Sequence, residues 1–315
     1  MSTLTAADLD GAAARLAGRI RATPVIDLEV DGVTVVCKLE QLQLGGSFKV
    51  RGALNRMLLA SKDELAGGVV TASGGNHGIG VALAAKALGL SATVYMPSGA
   101  PVATARRIED NGAVCVRAGL AWDDAWDAAL QHVLRDGGLA VHPFEDDRVI
   151  AGQATVGLEL VRQCPGIDGA IVAIGGGGLA AGVALAVQAH RPDLALVGVE
   201  PVGAASMYES VKAGELRSLA TVSTIAGTLA PRRVGPSTLA ICAEHLREIV
   251  LVSDDEMRAA MRFLWDHLRV LVEPAGAAAL AALRSGRMTT TMARPALIVC
   301  GANPDDAEAR RLFGG

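Results

Sequence analysis

Three stretches of the chain hold residue types that could do chemistry. Gly175-Gly176-Gly177-Gly178 follows a short apolar run and opens an Ala-rich one. Such a turn leaves backbone N–H groups unobstructed at a helix start, where the helix end adds about half a positive charge. Phosphate is its natural ligand, because four glycines in a ligand-free turn would cost needless chain entropy. Read alone, Gly176-x-Gly178-x-x-Ala181 also matches a dinucleotide fingerprint, with Glu200 about 20 residues on where a ribose-binding acid would stand. A nucleotide-binding oxidoreductase is therefore one reading of this motif. Lys49 follows Phe48 and two glycines, Gly45 and Gly46. An amine in a partly apolar pocket has a lowered pKa and is free to form a Schiff base; the plainer reading is a surface lysine at a helix start. Asn76 follows Ser73-Gly74-Gly75 and is most simply an N-cap, at the head of a second anion-binding helix. His77 reads equally as a packed core histidine and receives no proton-transfer role.

Taken together, these motifs resemble one family. The stretch from Lys38 to Ala53, containing Gly45-Gly46-Ser47-Phe48-Lys49, is similar to the lysine region of the fold-type II pyridoxal-phosphate enzymes, in the branch of threonine and serine dehydratases and serine racemase. Ser73-Gly74-Gly75-Asn76-His77 resembles that family's Ser-x-Gly-Asn-His loop. The glycine tetrad and Val299-Cys300-Gly301-Ala302-Asn303 complete the set, with smaller echoes at Thr23-Pro24, His142-Pro143-Phe144, Gly152-Gln153, Val199-Glu200-Pro201 and Val272-Glu273-Pro274. The resemblance runs in order along essentially the whole chain. It implies pyridoxal 5'-phosphate joined to Lys49 as an imine, with Phe48 beside the ring, Asn76 at the ring hydroxyl and the phosphate on Gly175, Gly176, Gly177 and Gly178. It places the substrate carboxylate on the N–H groups of Ser73, Gly74, Gly75, Asn76 and His77. Cys300 would face the pyridine nitrogen, where the family usually has Ser or Thr. A thiol is a weak donor, so a largely unprotonated ring, suited to β-elimination, is expected; Cys300 as a buried small hydrophobe is compatible with that.

The resemblance implies dehydration and deamination of a β-hydroxy amino acid such as L-threonine or L-serine, giving a 2-oxo acid and ammonia. The alternative is an amino-acid racemase or another lyase of the same fold. Gly74 stands where the racemase pattern has a serine able to serve as the opposite-face acid and base, and racemisation needs two such groups; Ser73, one position earlier, keeps the question open. Val50 after the lysine separates the chain from threonine synthases, and the Ser73 loop from cysteine synthases. Ala154, and Gly227-Thr228 in place of a frequent Asp-Gly, depart from the family and leave the substrate open, up to bulkier β-hydroxy amino acids. Glu200, the Ala204 carbonyl and Ser206 match a divalent-cation position; with Ser206 replacing an acid, affinity should fall, leaving a mono- or divalent cation or a water.

The elements must carry these groups to one place. Short β-branched runs, Val33–Leu39, Val69–Ala72, Ala92–Met96, Ala113–Arg117, Ala170–Ile174, Leu196–Val199, Ile249–Val252 and Ala296–Cys300, read as strands. Helical segments near 6–20, 49–60, 76–88, 101–111, 121–135, 150–163, 179–190, 254–270 and 274–284 lie between them, the first capped by Thr5. This alternation predicts an α/β protein of βαβ units with mostly parallel sheets. The stretch 215–240 reads as a long loop. The family resemblance sharpens this to a tryptophan synthase beta-like fold of two parallel-sheet lobes with the cofactor between them, a large one of 1–50 with 146–315 and a small one of 51–145. A length of 315 residues suits two lobes, and aromatics at only 3% demand a core of Ala, Val, Leu and Ile. A net charge of −4 without basic runs argues against nucleic acid. Five scattered cysteines, no leader pattern and no long apolar run predict a reduced, cytoplasmic, non-membrane protein. Family resemblance suggests a homo-oligomer, dimer or tetramer, and the chain's end just past the last motif suggests no appended effector domain.

Overall fold

The structure, a computed structural model, describes residues 4–304. Among the described residues ten strands form: β1 Val25–Val30, β2 Val33–Leu39, β3 Val69–Ala72, β4 Ala92–Met96, β5 Val114–Arg117, β6 Leu139–Ala140, β7 Gly169–Ala173, β8 Ala195–Pro201, β9 Glu248–Val252 and β10 Pro295–Val299. Among the same residues twelve α-helices accompany them: α1 Ala6–Leu16, α2 Lys49–Leu58, α3 Lys62–Leu65, α4 Asn76–Leu88, α5 Val102–Glu109, α6 Trp122–Asp136, α7 Asp147–Gln163, α8 Gly178–His190, α9 Ser206–Ala213, α10 Pro236–His245, α11 Asp254–Leu268 and α12 Pro274–Arg284. The strands make two sheets, one of order β1-β2-β10-β7-β8-β9 and one of order β5-β4-β3-β6. Every pairing is parallel except the β1–β2 hairpin. The protein is thus an α/β molecule of two parallel-sheet lobes.

All eight expected strands form, most with an end shifted by a residue, and Cys300 lies just past β10 rather than in it. The hairpin strand β1 was not anticipated. It alternates apolar with acidic residues, burying Leu28 and Val30 and exposing Asp27 and Glu29, which is the period of a half-solvated edge strand. Helix α1 stops at Leu16 rather than 20, ahead of Gly18 at φ +73°; its Thr5 cap forms as a reciprocal box with Asp8. The segment expected as one loop over 215–240 is interrupted by α10, which Pro236 opens at its first position, where a missing N–H costs nothing.

The core follows the composition. Ala, Val, Leu and Ile side chains fill the space between the six-stranded sheet and its helices. A Cβ on Gly157 would lie 2.8 Å from that of Ala186, and one on Gly182 would lie 2.7 Å from the Ala154 nitrogen. Small residues therefore let α7 and α8 approach backbone to backbone. Polar anchoring supplements this packing around α2. The fully buried Arg51 guanidinium bonds Glu40 at 2.7 Å and Glu159 at 2.6 Å, and the buried Lys38 reaches Glu159 at 2.6 Å. The helix that begins with Lys49 is held by these charges to the β2 end and to α7. All five cysteines are unpaired. Among the described residues no helix is long and apolar enough to cross a membrane.

Candidate active site

Four helices begin at one cavity of about 570 Å³: α2 at Lys49, α4 at Asn76, α8 at Gly178 and α12 at Pro274. The turns leading into α4 and α8 leave the carboxyl ends of β3 and β7, the edge of a parallel sheet where ligands generally bind. The cavity is bordered by Lys49, Ser73 through His77, Trp122, Phe144, Gly176 and Glu273.

Lys49 is the first residue of α2. Its Nζ donates to the Pro143 carbonyl at 2.9 Å and lies 5.1 Å from the centre of the Phe48 ring. Burial lowers its pKa to about 8, against the opposing pull of Cys300 and Glu273. Phe48 and Cys300 are buried beside it and do not border the cavity. The Cys300 Sγ donates to the Ala275 carbonyl at 3.3 Å, and burial pushes its thiol pKa upward; its backbone carbonyl accepts from the Phe48 N–H.

The turn before α4 removes the plain N-cap reading of Asn76. Gly75, not Asn76, occupies the cap position, with extended backbone and no capping side chain. Asn76 is already helical, so its side chain crosses to other partners. Its Nδ2 donates to Glu273 Oε1 at 2.7 Å, and its Oδ1 accepts from Asn303 Nδ2 at 2.6 Å. Asn303 also accepts from Arg107 on α5 and donates to the Gly45 carbonyl. Of the five N–H groups expected to face a carboxylate, that of Ser73 already donates to the Tyr95 carbonyl and that of Gly75 to Ser73 Oγ. Those of Gly74, Asn76 and His77 remain for a ligand. His77 bonds the Val141 carbonyl through Nε2 and its buried Nδ1 has no partner; burial and the Lys49 charge hold its pKa well below the ordinary value, so the ring is neutral.

Gly177, at φ +93°, caps α8 in a conformation that favours glycine. A side chain on Gly176 would overlap the Phe144 ring, and one on Gly178 would crowd the Phe144 backbone. The Gly176 carbonyl accepts from Thr238 Oγ1 at 2.8 Å, which fixes the turn.

Sequence reasoning gave no role to Glu273. It is buried, accepts from Asn76 and from Thr228 Oγ1 at 3.3 Å, and burial raises its pKa. Its signal, an acid followed by Pro274, reads simply as a helix start. Trp122 and Phe144, also missed, come from the start of α6 and from the connection between β6 and α7.

The expected cation position lies apart from this cavity. Glu200, at the end of β8, accepts from the Met207 N–H at 2.9 Å with one oxygen and from the Tyr208 N–H at 2.7 Å with the other. Both bonds hold the start of α9. Burial raises its pKa to about 8. Ala204 and Ser206 are buried next to it, and Ser206 Oγ has no partner. Among the described residues no group of three His, Cys, Asp or Glu side chains could hold a metal ion. Glu200 acts here as a helix anchor.

The family model described as pyridoxal-phosphate dependent enzyme matches residues 16–301. An L-threonine ammonia-lyase of Geobacter sulfurreducens is 39% identical over 92% of this chain and 73% of its own length. A phenylserine dehydratase of Ralstonia pickettii is 39% identical over 100% of this chain and 98% of its own. Among solved structures, maize serine racemase superposes with a TM-score of 0.94 at 31% identity, covering 99% of this chain and 97% of that one.

Proposed function

The chain belongs to the pyridoxal-phosphate dependent enzymes, and from that premise we propose that it dehydrates and deaminates a β-hydroxy amino acid such as L-threonine or L-serine to a 2-oxo acid and ammonia. The residues at the cavity fit the cofactor. Lys49 offers a buried amine with one carbonyl partner and a lowered pKa. Gly176 and Gly177 leave a side-chain-free turn at the α8 start for a phosphate. Asn76 presents an amide beside both, and the unpartnered His77 Nδ1 borders the same space.

Bound through its aldehyde to Lys49, pyridoxal phosphate supplies the electron sink for bond breaking at the substrate α-carbon. The chain's own residues then divide the work. The N–H groups of Gly74, Asn76 and His77 receive the substrate carboxylate at the α4 start. The turn Gly175 to Gly178 holds the phosphate, and Asn76, braced by Glu273 and Asn303, sets the ring hydroxyl. Phe48 and Cys300 back the site behind Lys49. Lys49 takes the α-proton, a task for which an amine with a pKa of about 8 is well matched to neutral pH.

One observation carries elimination over racemisation. Across from Lys49 the loop offers no second acid or base: Gly74 has no side chain, and a Cβ there would meet that of Ala100 at 2.9 Å. Ser73 Oγ is engaged by the Gly75 amide at 3.1 Å. The likeness to maize serine racemase favours the second reading, racemisation. We further propose a large lobe of 1–50 with 146–315 and a small lobe of 51–145, supported by strand membership: β3 to β6 make one sheet and all other strands the second.

The test is a visible absorbance spectrum of the purified protein before and after L-threonine and L-serine, with 2-oxo acid and substrate chirality followed together. A yellow band that shifts as 2-oxo acid accumulates is expected, and Lys49→Ala abolishes both. A shift accompanied only by D-amino acid would give the site to racemisation.

A further inference from the structure

The chain holds three Trp, two Tyr and four Phe; two of these nine aromatics, Trp122 and Phe144, border the cavity, and a third, Trp126, stacks on Trp122. Trp122 and Trp126 stack with ring centres 5.8 Å apart at 8°. The Phe144 ring lies 6.2 Å from Trp122. His142 stands edge-on to all three, at 5.6, 4.9 and 4.6 Å. The Trp122 indole is fixed by its Nε1–H bond to the Ala72 carbonyl at 3.0 Å.

Packing accounts for part of this group. Trp122 and Trp126 pack in one cluster with Val70 and Ala72 of the four-stranded sheet and with Ala125 and Ala129 of their own helix, α6. It does not account for the faces that Trp122 and Phe144 keep open to the cavity, since both are only half-buried and border it. Nor does it account for Leu120, which is 87% exposed on the same border.

The wall is also linked to each of the two anchors of the proposed substrate. Phe144 follows Pro143, whose carbonyl holds the Lys49 amine, and Trp122 is tied to Ala72, which precedes the carboxylate-binding turn. A β-substituent projecting from an amino acid held at both anchors has this wall within reach. Among the described residues, Lys49 and Glu273 are the only Lys, Arg, Asp or Glu residues on the cavity border, and Glu273 is already engaged by Asn76 and Thr228. Among those residues a charged β-substituent would find no free partner.

We infer that the substrate is a β-hydroxy amino acid bearing an aryl group on its β-carbon, a 3-arylserine, whose ring lodges against Trp122 and Phe144. The inference rests on the dehydratase reading and adds its substrate class. A methyl group or a hydrogen would leave both ring faces wet, whereas an aryl ring covers them in the offset or edge-on contacts that aromatic pairs prefer. The reaction balances without an oxidant. From 3-phenylserine the Cα–H and Cβ–O bonds break and water leaves; the released enamine tautomerises to an imine, and a water molecule hydrolyses it to phenylpyruvate and ammonia.

The test uses the cofactor-loaded enzyme. kcat/KM for L-threo-3-phenylserine should exceed that for L-threonine at least tenfold. Trp122→Ala should cut that ratio at least tenfold, while Trp122→Phe keeps it within threefold; a merely structural Trp122 would lower both substrates alike. Binding is read separately from the shift of the cofactor band with L-phenylalanine and L-alanine, which lack the β-hydroxyl. Wild-type enzyme should bind L-phenylalanine at least tenfold more tightly, a result that needs no folded variant. Dehydration of L-threonine with no preference for phenylserine or phenylalanine overturns the aryl assignment alone. Tight phenylalanine binding without dehydration of any substrate supports aryl recognition and overturns the dehydratase reading.

Discussion

Lys49→Met tests the electrostatics on which the chemistry depends. In the cofactor-free protein the Lys49 amine is fully buried, and its pKa falls from the ordinary 10.5 to about 8. Below pH 8 the folded state must bury an ammonium. That interval, at about 1.4 kcal/mol per pH unit, corresponds to a penalty of about 3 kcal/mol. As pH rises through 8 the folded protein releases this proton while the unfolded chain holds it until about 10.5, so stability rises with pH across that window. Methionine is similar in length and has no charge, though it loses the bond to the Pro143 carbonyl, worth about 1 kcal/mol. Lys49→Met should therefore be more stable than wild type by about 2 kcal/mol at pH 7. By pH 9.5 the gap should have narrowed by about 2 kcal/mol. Urea unfolding of both cofactor-stripped proteins at the two pH values measures it, and the comparison cancels every other titrating group. A gap constant to within about 0.5 kcal/mol would show that Lys49 titrates as an ordinary lysine, and the proposed proton abstraction near neutral pH would lose its basis.

Two further outcomes follow from the geometry. Arg51→Ala removes the guanidinium shared by Glu40 and Glu159 and leaves Lys38 as the sole cation of the cluster; it should cost about 3–5 kcal/mol, read as a lower urea midpoint, and a cost under about 1 kcal/mol would contradict the buried network. Gly176→Ala places a methyl group into the Phe144 ring; cofactor affinity, followed by titration of the visible band, should fall at least tenfold, and an unchanged affinity would remove the glycine turn from the phosphate site.

The parallel α/β order was legible because short β-branched runs alternate with long Ala-rich ones; the tetrad stood out because few other roles suit four consecutive glycines, whereas Lys49 stood out only through the family resemblance of its flanking residues. What was missed has physical reasons. The plain N-cap reading of Asn76 fails because the cap is decided by the extended backbone of Gly75, which no side chain signals. Glu273 was hidden by an unremarkable acid-proline pair, and its partners Asn76 and Thr228 are 197 and 45 residues away in sequence. Helix α10 lay in a Gly- and Pro-rich stretch whose apolar period is too short to read. The wall of Trp122 and Phe144 exists only after α6 and the connection following β6 come together.

The four helix starts around the cavity also bear on how the protein is loaded. Each contributes roughly half a positive charge, so the pocket carries the field of a small anion trap, set within a protein whose overall charge is −4. Such a field selects for negative charge before it selects for shape. Inorganic phosphate, sulfate and other small dianions therefore compete with the cofactor for the same amides. The rate and completeness of reconstitution are thus properties of the surrounding buffer as much as of the protein, with loading slowest where phosphate is abundant.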